Sequence, residues 1–173
     1  MQIVYIILSV LAGMMAVEVG GYVWHRWAEH HGILGKAVVA RHIVHHNKDY
    51  PVDKLRNKNN KYKSANSWSW YVLGLLIIIF LYIVAPKPYN YIMIVSGLIY
   101  AKFVISYLHS KFHVKNHWLA KNSRFIKIQK LHDIHHWGPY NYGIVFYGLD
   151  WIFGTYKDEF PDSKVANFKT DKN

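Results

Sequence analysis

Three apolar blocks separated by charged stretches constrain this chain more than any other feature. Ile3 to Trp24 carries one charge, Glu18; Trp68 to Ala85 carries none and opens on Trp68, Trp70 and Tyr71; Tyr89 to Leu108 carries only Lys102. A helix needs about 20 apolar residues to cross the roughly 30 Å hydrocarbon core of a bilayer, and Trp and Tyr gather at its interfaces. The blocks therefore predict three transmembrane helices. Pro86-Lys87-Pro88 stops the second block and leaves room only for a tight helical hairpin before the third. No basic residue precedes the first block and no small-residue cleavage site follows it, so it reads as a retained span and not a signal peptide.

The charges lie between the blocks. His25 to Ser67 holds nine Lys or Arg, and the region from His109 onward holds ten. By the positive-inside rule both regions are cytoplasmic and the N-terminus faces out, an orientation three spans satisfy. The net charge of +11 is interleaved with membrane-length blocks and not collected on a soluble module, which argues against nucleic acid and for a membrane surface or an acidic protein partner. Pro51 is expected to end a helix, and the basic, Asn-rich loop Lys54 to Lys63 to be solvated or bound to headgroups.

Histidines fill these polar regions in a pattern. His132, His135 and His136 stand at i, i+3 and i+4, which on a helix projects three imidazoles from one face. The same spacing occurs at His42, His45 and His46, and two pairs complete the set, His25 with His30 and His109 with His113. These clusters use ten of the twelve histidines, leaving His31 and His117 outside. With no cysteine in the chain, imidazole is the principal nitrogen ligand, and thiolate zinc, iron–sulfur and thiolate-haem sites are excluded. Ten imidazoles exceed what one first-row metal takes and suit two, so a dimetal site on a cytoplasmic helical cap is expected. Zinc outcompetes ferrous iron at nitrogen sites, so a purified sample can carry zinc.

Asp133, Asn141 and Asp150 are expected to accept imidazole N–H bonds, as outer-shell groups do. Glu18 and Lys102, charges inside apolar blocks, are expected to pair; alternatively Glu18 borders the metal site, since it lies seven residues before His25 on nearly the same helical face. The Gly-punctuated segment Asn141 to Tyr156 should pack near the site with Trp151 and Phe153 as anchors, and the polar tail 157–173 should be loose. The whole reads as one all-α membrane domain, residues 1–156. A haem carrier would want single histidines facing each other within spans, and a transporter would place ligands near the midplane; neither matches clusters at span ends. A non-catalytic membrane metal-binding protein is the remaining reading of another class.

On these motifs the chain resembles the fatty acid hydroxylase and sterol desaturase superfamily of integral-membrane di-iron enzymes. The resemblance rests on His25 with His30; His42, His45 and His46; His109 with His113; His132, His135 and His136; and the closing NYGIVFYGLDWIFGTY, and it covers His25 to Tyr156. It implies two iron ions, O2 as co-substrate, hydroxylation or desaturation of a lipid carbon, and electrons from a separate ferredoxin- or cytochrome-type donor docking on the basic face. The chain is also similar to bacterial carotene hydroxylases. Its second pair has a gap of three residues where those usually have four, and its closing segment is of fatty acid hydroxylase type, so the expected substrate is an acyl chain, with a carotenoid or sterol as the alternative.

Overall fold

The computed structural model describes residues 1–56, 62–63 and 68–161. Half of the basic loop expected to be solvated (57–61) and most of the polar tail (162–173) lie outside the described residues. The described chain is all-helical: α1 (Gln2–Val23), α2 (Lys36–Val44), α3 (Trp68–Val84), α4 (Tyr89–Tyr100), α5 (Ser106–Phe112), α6 (Ser123–Trp137) and the short α7 (Gly148–Ile152). Three π-helical stretches interrupt or extend these, at Trp24–His30, His45–Asp49 and Ala101–Ile105, and a 3-10 turn covers Trp118–Lys121. The chain forms two compact units, the first of residues 1–42 and 65–109, the second of residues 43–64 and 110–173, with the boundary falling inside α2.

In the first unit, α1 packs mainly on α4, and α3 on both. Gly13 and Gly97 permit the α1–α4 crossing: a Cβ on Gly13 would lie 2.1 Å from the Met93 carbonyl oxygen, and one on Gly97 would lie 3.0 Å from that of Gly13. Small residues that bring backbones together in this way are how apolar helices associate where no water drives them. Ser96 adds a hydrogen bond across the crossing, from its hydroxyl to the Val10 carbonyl at 3.3 Å. At the other end of α1, Trp24, Ala28 and Val38 form a buried cluster against Trp70 and Leu73.

Among the described residues, two continuous helices are long and apolar enough to cross a membrane, Gln2–His30 and Tyr89–Phe112. Of the three spans expected from the sequence, two reach that length among the described residues, and the third, α3, is shorter. The described α3 has 17 residues, about 26 Å at the α-helical rise, and Pro86 prevents its extension at the C-terminal end. The apolar helices leave large side chains exposed, among them Ile3, Leu8, Leu11, Phe80, Ile83, Leu98 and Phe103. An apolar helix that served as the core of a soluble fold would bury such residues, whereas a bilayer solvates them.

Glu18 is buried within α1 and accepts a hydrogen bond from the Tyr100 hydroxyl. Lys102, the partner the sequence suggested, is exposed. A hydroxyl donor lowers the cost of a carboxyl group among apolar helices, and a Lys near a helix end extends its charge toward water.

The second unit is built on α6. Asn122 caps its N-terminus, its side-chain oxygen accepting from the N–H groups of Arg124 and Phe125. Phe125, Leu131 and Ile134 are buried beneath it, with Phe112 against Phe125. The segment after α6 folds back as a clasp. Asp150 accepts from the N–H groups of Tyr142 and Gly143 and from the Thr155 hydroxyl, while Asn141 donates to the carbonyls of Leu131 and Lys157. Gly143 is required there, because a Cβ would stand 2.6 Å from the Phe146 carbonyl oxygen. Trp151 and Phe153, expected as inward anchors, are exposed; Trp151 stacks on Tyr156 at 4.3 Å instead.

Candidate metal centres

The second unit gathers four imidazoles, those of His45, His113, His132 and His136, all buried and with one nitrogen from each within 4.8 Å of the others. Two of them have their protons assigned by their neighbours. His113 Nδ1 lies 2.9 Å from the Leu55 carbonyl oxygen and His136 Nδ1 lies 3.0 Å from that of Tyr50. A carbonyl only accepts, so each Nδ1 carries the hydrogen and each neutral ring presents a lone pair at Nε2. Both lone pairs point at the same atom: His132 Nε2 is 3.0 Å from His113 Nε2 and 3.3 Å from His136 Nε2. A single proton on His132 can satisfy one of them, whereas a cation satisfies all three. Burial also pushes the His113 imidazole down to about 3, so it holds its neutral, ligating form. Tyr50, fully buried, stacks on His113 at 3.9 Å and fixes the plane of the ring.

The first unit holds a second group. His42 Nε2 is 2.8 Å from His30 Nε2 and 3.2 Å from His25 Nε2, with ring centroids 4.6–5.0 Å apart. His25 and His30 stand five residues apart, a spacing that in an α-helix places two side chains on different faces. They lie instead on the π-helical stretch Trp24–His30, where i to i+5 hydrogen bonding brings residues five apart into register. Behind His42 stands Glu29, 2% exposed, with Oε2 3.4 Å from His42 Nδ1 and Oε1 accepting the Trp70 indole N–H at 2.8 Å.

His46 and His135 meet in the second unit with ring centroids 4.8 Å apart, and His135 donates from Nδ1 to the Tyr140 carbonyl at 2.7 Å. Nine of the ten clustered histidines are thereby placed in these imidazole contacts. His109, in the first unit, is half-buried and belongs to neither group of facing nitrogens among the described residues.

The outer-shell groups differ from those expected. Asp133 pairs with Arg56; burial raises its carboxyl to about 6, against the lowering influence of the guanidinium. Asn141 and Asp150 hold the clasp. The acceptors behind the rings are main-chain carbonyls and Glu29. Carbonyl acceptors leave no mark in a sequence, but Glu29 did: it is the one carboxylate inside HRWAEH, between the two histidines of the first pair.

Imidazole donors with fixed tautomers and facing lone pairs suit a first-row divalent metal such as iron or zinc. A family model described as fatty acid hydroxylase matches residues 10–155 of the chain. Searches of curated proteins and of solved structures return no match.

Proposed function

Because the chain belongs to the fatty acid hydroxylase family, within the fatty acid hydroxylase and sterol desaturase superfamily, we propose that it is a membrane oxygenase that hydroxylates a C–H bond of a lipid acyl chain with O2 and externally supplied electrons. The observation that carries the reading is the pairing of facing Nε2 atoms in both units, at 2.8–3.3 Å, with ring hydrogens committed elsewhere at His113 and His136. Two iron ions would be held, one by His25, His30 and His42 and the other by His45, His113, His132 and His136. When bound, they supply the redox chemistry of O2 reduction that amino-acid side chains lack.

The chain's own residues do the rest. The carbonyls of Leu55 and Tyr50 hold two rings in the tautomer that presents Nε2 inward. Burial of His45, His113, His132 and His136 keeps water from the reacting region. The exposed apolar faces of α1, α3 and α4 place the protein in the phase where acyl chains are dissolved. The histidine-bearing regions lie on the cytoplasmic side with the N-terminus opposite, and α3 crosses as a third, short span. The basic residues of those regions form the docking surface for an acidic ferredoxin or cytochrome, whose contribution to turnover falls as salt screens it.

Whole-lipid mass spectrometry of iron-replete cells expressing the chain beside its His136→Ala variant tests this. A lipid that gains one oxygen only with the unsubstituted chain supports the hydroxylase and names its substrate. Loss of two hydrogens reassigns the reaction to desaturation, and an altered carotenoid or sterol reassigns the substrate.

A further inference from the structure

The two imidazole groups are backed by different chemistry. In the second unit, His113 and His136 donate to main-chain carbonyls, which carry no net charge. In the first unit the group behind His42 is a side-chain carboxyl, that of Glu29. Glu29 is buried, its Oε1 is held by the Trp70 indole N–H, and its Oε2 has no hydrogen bond other than its approach to His42 Nδ1 at 3.4 Å.

We infer that Glu29 is a positioning residue that fixes the tautomer of His42 and thereby makes the His25–His30–His42 group a metal site. The position of one proton decides between the two. His42 Nε2 sits within hydrogen-bonding distance of both His25 Nε2 and His30 Nε2. With its hydrogen on Nε2, His42 would donate to one of these and the cluster would satisfy itself as an ordinary buried hydrogen bond. With the hydrogen on Nδ1, facing Glu29 Oε2, Nε2 becomes a lone pair and joins the other two rings as a ligand. Glu29 therefore decides whether three histidines form a ligand set or a hydrogen-bonded knot, and the two metal sites of the chain are unequal.

This inference rests on the reading that the chain binds two metals, and one titration separates the two. Co2+ is added to the metal-free, detergent-solubilised full chain, with binding followed by d–d absorption and by chelator competition. The unsubstituted chain is compared with Glu29→Gln and Trp70→Phe. Gln can still accept from Trp70 through its amide oxygen, but it then turns an N–H donor toward His42 Nδ1 and so favours the hydrogen on Nε2. The expected result for Glu29→Gln is that one of the two Co2+ ions binds about 10- to 100-fold more weakly, with its absorption band altered, while the other is unchanged. Trp70→Phe removes the indole N–H but leaves the carboxylate facing His42, and should keep both ions within a few-fold. Two equally tight ions in Glu29→Gln overturn the inference, as does a Trp70→Phe variant that loses the same ion to the same extent, since Glu29 would then act only by anchoring Trp70. Failure of the unsubstituted chain to bind Co2+ at all contradicts the metal reading itself.

Discussion

At the residue scale, the histidines divide by what stands behind each ring. His113 and His136 are buried, oriented by carbonyls and directed at His132. Replacing either with Ala should remove one of two bound metal ions, measured by elemental analysis of the purified chain. The Arg56–Asp133 pair makes a separate prediction. Asp133 is almost fully buried beside His132, and its charge is matched by a guanidinium that is only partly exposed. Arg56→Met strands the carboxylate and should cost about 1–3 kcal/mol of stability, seen as a lowered unfolding midpoint in detergent. The double variant Arg56→Met with Asp133→Leu should recover most of that loss.

At the scale of elements, much of the architecture was legible because apolar block length and histidine spacing are direct physical signals. The blocks at 3–24, 68–85 and 89–108 correspond to α1, α3 and the α4–α5 helix, and HDIHH sits on α6 with its imidazoles buried. What escaped were features without side-chain signatures. The π-helical stretch at Trp24–His30 depends on tertiary packing, and its only trace was a five-residue spacing that does not suit an α-helix. The carbonyls of Tyr50, Leu55 and Tyr140 are invisible in a sequence for the same reason. Asp133, Asn141 and Asp150 had the chemistry to orient imidazoles, but the backbone of the clasp and Arg56 claimed them first.

The α1–α4 crossing carries the prediction at this scale. Gly13→Val drives a side chain into the Met93 carbonyl and should lower the unfolding midpoint, at a cost of about 1–3 kcal/mol or more. Gly74→Ala, where a Cβ meets nothing within 4 Å, is its control and should leave the midpoint unchanged.

At the scale of the whole molecule, apolar helices with exposed faces alternate with polar regions that carry imidazoles and positive charge. The proposed oxygenase needs both, helices to bring it to a lipid and histidines to supply the ligand sets. A net charge of +11 with ten acidic residues predicts that donor-driven turnover weakens with ionic strength, while the rate with a small uncharged reductant changes little. The central claim, that an atom of O2 enters a lipid on this chain, is tested most directly with 18O2. The iron-loaded chain in lipid vesicles, supplied with a reduced ferredoxin, should yield a hydroxylated acyl chain carrying one 18O atom, and His136→Ala should yield none. Unlabelled lipid from a preparation with two iron ions bound and the donor reduced would contradict the account.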